Sequence, residues 1–365
     1  MMEQSTFFPS SPNPLALQLE DEEEYVSTED LPIELETTLR YLSIIIYSIS
    51  FLLGTIGNGL VIWIAGFRMK RTVNTVWFLN LAIADFIFTF FLPLSIAYTA
   101  LGFDWPFGTL LCKLNSTVAF LNLFASVFLL TIISADRCVS VVRPVWAQNN
   151  RTIKLANVIA LAIWLVAFCL CSPYVAFRDT IRDNETSVTH CYNNYAFSSD
   201  FDDLEVVALR SMRHQVMISV RFLFGFLLPF GLILVFYSLM ALKLRRSQLS
   251  WSSRPFKVMA TVVVAFFLCW FPYHILSVLE VVMHHWDNNT LKSAVLIGSP
   301  LATSLAFFNS CLNPFLYVFL GRDFKESLRR SIVLAFESAF SEEHGKNNYS
   351  HGKSRSVSDQ ESQFT

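Results

Sequence analysis

Charge is scarce in this sequence. Asp, Glu, Lys and Arg make up 15% of the 365 residues, where a soluble domain carries about 25%. Hydrophobic residues reach 53%, and Phe alone occurs 35 times. So few charges cannot cover a water-facing surface, which leaves the membrane proteins as the class to consider. Basic residues are missing from the start: residues 1–40 hold ten Asp or Glu and one base, Arg40. With no basic stretch and no apolar core there, no cleaved signal peptide is expected, and the first spanning helix acts as its own signal anchor. The seven cysteines are odd in number, which excludes a complete disulfide framework. No internal repeat is visible, which argues against an inverted-repeat transporter.

What is present is a series of long apolar runs, at roughly 40–66, 73–101, 109–142, 153–177, 212–244, 255–284 and 294–320. Each reaches the ~20 residues needed to cross a bilayer, and in lipid the backbone must satisfy its own hydrogen bonds, so these are helices. The bases Arg68, Lys70, Arg71, Arg143, Arg151, Lys154, Lys243, Arg245, Arg246, Arg254, Lys257, Arg322, Lys325, Arg329 and Arg330 all fall on one side of the series. The positive-inside rule makes that side cytoplasmic and puts the N-terminus outside. The expected fold is an all-α membrane protein: a seven-transmembrane helix bundle over 40–320, with a disordered acidic extracellular arm at 1–39. A short amphipathic eighth helix, carrying Phe324, Leu328 and Ile332, and a Ser-rich cytoplasmic tail fill 321–365. The economical cysteine pairing joins Cys112 to Cys191, the two in outer positions; the other five sit in or beside apolar runs, where a thiol behaves as a small hydrophobe.

The stretch Cys112–Pro144 organises the rest. At 1.5 Å per residue, Cys112 and Arg137 stand roughly 37 Å apart, farther than the ~30 Å hydrocarbon core. The cysteine therefore lies at one membrane face and Asp136-Arg137 at the other. Asp85 falls near the middle of the second run, where an ionisable group is expensive. Asn58, Asn122, Ser126, Asn309, Ser310 and Asn313 fall at similar depth. One carboxylate among neutral oxygens suits a small hard cation such as sodium; a protonated Asp bonded to a neighbouring helix is the plain structural alternative, and Asn or Ser in membrane helices is often interhelical glue. Pro93, Pro229, Pro272 and Pro314 interrupt four helices and kink them.

Gly57-Asn58, Leu81 with Ala84-Asp85, Asp136-Arg137-Cys138, Trp164, Cys269-Trp270-Phe271-Pro272 and Asn313-Pro314-Phe315-Leu316-Tyr317 occur in order, one set per helix. Together they resemble the rhodopsin-class G-protein-coupled receptors over residues 40–333. Trp77-Phe78-Leu79-Asn80-Leu81-Ala82, Trp105-Pro106-Phe107-Gly108, Pro144-Val145-Trp146 and Ala306-Phe307-Phe308-Asn309-Ser310-Cys311 are similar to the chemoattractant peptide receptors within that class. Phe177-Arg178-Asp179-Thr180 and Cys191-Tyr192-Asn193-Asn194 look most like the chemerin receptors, with formyl peptide receptors next.

That resemblance carries expectations. Cys112 pairs with Cys191. Asp136 holds Arg137 at rest, and Arg137 engages a G protein when the cytoplasmic side opens, with Tyr237 and Tyr317 swinging toward it. Pro272 and Pro314 mark the hinges. The acid that many relatives carry at the base of helix six is missing near Ser252. Asp85, Asn122, Ser126, Asn309, Ser310 and Asn313 match a sodium site. Trp270 matches the floor of the ligand pocket. Arg221, helped by Arg178, is expected to receive a peptide carboxylate, since Arg pairs with carboxylates in bidentate fashion; Glu280 is expected to meet an amine or polar group. Formyl peptide receptors place an aspartate and a second arginine where this chain has Phe120 and Met217, which favours a chemerin-like agonist. Coupling to inhibitory G proteins and to arrestin follows by analogy.

Outer Asn184 and Asn288 sit in glycosylation sequons. Tyr25, beside Glu20-Asp21-Glu22-Glu23-Glu24, is a sulfation candidate, and the acidic run suits a basic protein ligand; a solubilising tail is the plainer reading. Ser350, Ser354, Ser356, Ser358, Ser362 and Thr365 are phosphorylation candidates. A retinal pigment is excluded because 294–320 has no lysine, and a membrane hydrolase because His274 stands alone at depth. A scavenging receptor that internalises ligand without G-protein signalling, or a formyl peptide or anaphylatoxin-type receptor, are the alternatives.

Overall fold

A computed structural model describes residues 32–183, 186–197, 204–246, 254–283 and 289–320, together with Glu326 and Arg329. Seven helical spans are long and apolar enough to cross a membrane. The elements in chain order are α1 (Ile33–Trp63), α2 (Val73–Ala100), α3 (Gly108–Val142), α4 (Pro144–Asn150), α5 (Ile153–Phe177), β1 (Arg178–Arg182), β2 (Thr189–Asn193), α6 (Leu204–Phe222), α7 (Leu228–Arg246), α8 (Arg254–Met283) and α9 (Asn289–Leu320). α6 and α7 form one span, joined by a five-residue π-turn at Leu223–Leu227, and a second π-turn, Ile64–Arg68, ends the first span.

Local chemistry sets the ends. Thr72 and Thr75 form a reciprocal capping box at the start of α2. Thr152 Oγ1 accepts from Leu155 N at 3.2 Å to open α5, and Pro144 starts α4. α1 begins at Ile33, seven residues before the apolar run, because Glu34 and Glu36 suit the positive end of a helix although they do not suit lipid. Prolines enter the spans at more positions than expected: besides Pro93, Pro272 and Pro314, Pro173 lies inside α5 and Pro300 inside α9, while Pro229 is the second residue of α7, just after the π-turn. Each interior proline frees the carbonyl four residues earlier. For Pro173 that carbonyl is Cys169 O, and Ser172 Oγ donates to it at 2.9 Å.

α3 is the most enclosed span. Its Leu123, Val127, Leu130 and Ile133 pack with Phe226, Phe266 and Trp270 to form the core. Among the described residues, one β-hairpin departs from the all-helical expectation. β1 and β2 pair antiparallel, with Thr180 opposite Cys191, and the disulfide Cys112–Cys191 ties the hairpin to the top of α3. Trp105 N donates to Thr189 O at 2.7 Å and Thr189 N to Asp104 Oδ1 at 2.9 Å, so the hairpin is also fastened to the α2–α3 loop. Residues 321–333, except Glu326 and Arg329, lie outside the described residues, as do Tyr25, Asn184, Asn288, Ser252 and the tail sites Ser350, Ser354, Ser356, Ser358, Ser362 and Thr365.

Candidate functional site

Beneath the hairpin the spans part around a cavity of about 180 Å³. Arg178, Arg221, Glu280, Phe120 and Trp270 all line it, so residues drawn from α3, β1, α6 and α8 meet in one place. Arg221 lies in the last turn of α6, directly above the π-turn. Its guanidinium carbon stands 5.4 Å from the centre of the Phe120 ring and 5.2 Å from that of Tyr273. Both distances fall within cation–π range. Phe120 is itself stacked on Tyr174, with ring centres 3.7 Å apart and planes 17° from parallel. This fixes the ring against which the guanidinium rests, while Arg221 Nε is buried without a hydrogen-bond partner. Tyr174 also engages the guanidinium, and the unpartnered Nε is the in-plane donor left to receive an anion.

Arg178, the second cation, donates from Nε to Ser116 Oγ on α3 at 2.6 Å. Its neighbour Asp179 turns back to accept from Thr180 N at 2.9 Å. The floor is Trp270, whose indole meets Tyr273 edge-on at 5.6 Å and lies 6.1 Å from His274. His274 is buried among Phe222, Phe226, Trp270 and Tyr273. Gly225 in the π-turn makes room for it: a Cβ there would stand 3.5 Å from His274 Cε1 and 3.3 Å from Leu123 Cδ2.

One layer deeper, Asp85 is fully buried. Asn313 Nδ2 donates to Asp85 Oδ2 at 2.7 Å. The Asn122 amide is satisfied with its nitrogen toward Asp85 Oδ1 and Ser126 Oγ, both at 3.1 Å, and its oxygen accepting from Ser310 Oγ at 2.9 Å. The structure thus gathers Asp85, Asn122, Ser126, Ser310 and Asn313 into one hydrogen-bonded group. Asn309, the residue before Ser310 in α9, is buried with an unpartnered Oδ1. Among the described residues no three His, Cys, Asp or Glu side chains converge. One carboxylate with neutral oxygens fits a hard monovalent cation in charge and in donor type.

At the end of α3 away from the hairpin the expected Asp136–Arg137 pairing gives way to another. Arg151, at the end of α4, donates from Nε to Asp136 Oδ1 at 2.7 Å and from Nη2 to Asp136 Oδ2 at 2.9 Å. Arg137 donates instead to Asn74 Oδ1, at the start of α2. Arg151 takes both oxygens of the carboxylate, and Arg137, the next residue of the helix, is left to the amide oxygen of Asn74. Tyr237 packs on Cys138 and Met240 at the same level. The backbone of Pro314 and Tyr317 lies in α9; the Tyr317 side chain falls outside the described residues.

Sequence reasoning missed Tyr174, Tyr273, Ser116, Asn74 and the partner role of Arg151. Tyr273 stands three residues after Trp270, one helical turn on, which was a usable signal. Arg151 was read only as a positive-inside charge. The others act through contacts between distant segments that no local pattern marks.

Comparison with known proteins agrees with this geometry. The family model "7 transmembrane receptor (rhodopsin family)" matches residues 57–317. Chemerin-like receptor 1 of Homo sapiens is 45% identical over 330 residues, covering 89% of this chain and 86% of that protein. Chemerin-like receptor 2 of Rattus norvegicus is 44% identical over 295 residues, covering 81% and 80%. N-formyl peptide receptor 3 of Pan troglodytes is 43% identical over 308 residues, covering 84% and 87%. Seven spans, an aromatic-lined cavity beneath the hairpin, a buried carboxylate cluster and an arginine near the C-terminal end of α3 are thus found in a chain that belongs to the rhodopsin family of seven-transmembrane, G-protein-coupled receptors, a family of receptors rather than enzymes.

Proposed function

We propose that this receptor stands in the plasma membrane with its acidic N-terminus outside and responds to a peptide or protein chemoattractant of the chemerin type. The single observation that supports this most is Arg221, presented to the cavity between Phe120 and Tyr273 with a buried, unpartnered Nε. Arg221, with Arg178 toward the hairpin, receives the C-terminal carboxylate of the agonist. Glu280, on the cavity wall, meets an amine or polar side chain of the same peptide. Where the resemblance to formyl peptide receptors implies an aspartate, this chain has Phe120, which supplies an aromatic face and no charge.

Agonist contact with Trp270 biases two packings of α8 against α3, a population shift between resting and active states. Asp85, Asn122, Ser126, Asn309, Ser310 and Asn313 would hold a sodium ion in the resting state. Arg137 engages an inhibitory-type G protein in the active state, and arrestin follows.

The test compares two forms of each peptide in a panel of chemerin-like C-terminal sequences, free acid and C-terminal amide, on the native receptor and on Arg221→Gln. The expected result is about a ten- to hundredfold loss of potency for the acids on the variant, the worth of a charge-assisted hydrogen bond. The amides should be weak on both. Full potency of the acids on Arg221→Gln would overturn the carboxylate assignment. Agonist-driven guanine-nucleotide exchange separates a signalling receptor from a scavenger: ligand uptake without exchange is the scavenger's signature.

A further inference from the structure

Two arginines at the cytoplasmic end share two acceptors, and they divide them unevenly. Arg151 takes both oxygens of the Asp136 carboxylate, a fork-on-carboxylate arrangement that is among the stronger hydrogen-bonded pairs in proteins. Arg137 is left with a neutral acceptor, Asn74 Oδ1, which it shares with Arg151 Nη2. Arg137 Nε is buried with no hydrogen-bond partner.

Arg151 is carried by a rigid element. Its N–H donates to Ala147 O at 2.9 Å, Ala147 N donates to Arg143 O at 3.0 Å, and Ala147 is buried. The Asp136 side chain is only 10% exposed. A carboxylate that enclosed cannot stay unpaired at low cost. If Arg151 leaves, the cation next to Asp136 in the chain is Arg137.

We propose that Arg151 is a positioning residue for Arg137: by occupying both oxygens of Asp136 it prevents that carboxylate from capturing Arg137, whose hydrogen bond goes instead to a neutral amide, so that Arg137 reaches the G-protein-engaging state more readily. The inference rests on the reading of Arg137 as the residue that engages the G protein. It predicts effects of opposite sign for two neighbours in the same network. Asn74→Ala removes the tether while Arg151 still holds Asp136, so Arg137 is freed. Arg151→Ala releases Asp136 onto Arg137, so Arg137 is held.

The experiment uses the full-length receptor in membranes, without agonist, and measures basal guanine-nucleotide exchange on an inhibitory-type heterotrimer, normalised to surface receptor. Asn74→Ala, or Asn74→Ser where expression requires it, should raise exchange on the order of tenfold, the worth of one charge-assisted bond. Adding Arg151→Ala should return it to the native level. Adding Asp136→Asn to that pair should restore the gain, because no carboxylate remains to capture Arg137. Arg151→Lys, which keeps the charge and loses the fork, should fall between. A purely structural role for Arg151 would lower exchange equally with and without the Asp136→Asn change, and that result overturns the proposal. So does a rise in exchange on Arg151→Ala alone.

In parallel, the distance between spin labels at the cytoplasmic ends of α5 and α8 follows the same variants without any G protein. If exchange is flat throughout but the distance moves in the predicted order, Arg151 keeps its role and the inhibitory coupling is wrong. If neither moves, the inference fails.

Discussion

Asn58 and Pro314 should be energetically coupled across the bundle. In an unbroken α9 the Ser310 carbonyl would accept from the N–H of residue 314. Pro314 has no N–H. Asn58 on α1 supplies the missing donor: its Nδ2 reaches Ser310 O at 2.9 Å, and also Gly54 O at 2.9 Å. Gly57, one residue earlier, lets the ring approach, since a Cβ there would meet Pro314 Cβ and Cγ at 3.0 Å. Both Asn58 and Ser310 are fully buried. Asn58→Leu would leave the Ser310 carbonyl without a donor, a loss of about 1–3 kcal/mol. Asn58 Oδ1 is already unpartnered, so the same change also removes a buried orphan acceptor. That trims the expected cost to the lower part of the range, about 1–2 kcal/mol. Pro314→Ala restores a backbone donor for Ser310 O. In that background Asn58→Leu should cost close to nothing. The assay is an SDS titration of the reconstituted receptor for the four members of the cycle, in agonist-free mixed micelles. A coupling of about 1–2 kcal/mol is expected; single-variant costs that add to within about 0.5 kcal/mol would refute the reasoning.

Two further outcomes are accessible without an agonist. Burial holds the His190 imidazole below its ordinary range, against the weaker opposing pull of Asp183 and Asp104. The unfolded chain therefore binds the proton first as pH falls through about 6.5, and the folded hairpin loses stability below that pH. Protection factors of the β1–β2 amides, taken after correction for the intrinsic pH dependence of exchange, should fall between pH 7.5 and 5.5 (~two pH units around that value), and His190→Asn should flatten the response; equal protection at both pH values contradicts it. Sodium, but not a bulky organic cation, should raise the receptor's unfolding midpoint, by about 1.4 kcal/mol at ten times its dissociation constant. Asp85→Asn should abolish that increment, and its survival in the variant would remove Asp85 from the site.

The spans were legible because hydropathy over some twenty residues is a local property, and lipid allows few alternatives. The Asp85 cluster was legible for a related reason, since polar residues at membrane depth stand out against their neighbours. The membership of the cavity was only partly so. Arg221 and Arg178 announced themselves as charges, but the Phe120–Tyr174 stack joins residues 54 positions apart in the chain, and nothing near either ring marks the other. The partner of Asp136 was not legible because nothing near it in the sequence marks its competitor: Arg151, beyond α4 and fifteen residues away in the chain, takes both carboxylate oxygens. The β-hairpin was hidden in a short polar stretch fastened by partners outside it, Cys112 through the disulfide to Cys191 and Asp104 through a hydrogen bond to Thr189.

The wide turn at Leu223–Leu227 sets the direction of everything above it. A π-turn contains one residue more than the α-helical turn it replaces, and one residue is about 100° of rotation. Delete a residue from this turn and the guanidinium of Arg221 would swing by that angle, away from the two aromatic rings that hold it. The charge that the cavity offers to an acid is therefore encoded by chain length as much as by residue type. A scan of single substitutions would pass over it, and a relative with the same arginine above an ordinary turn would carry the right letter on the wrong face.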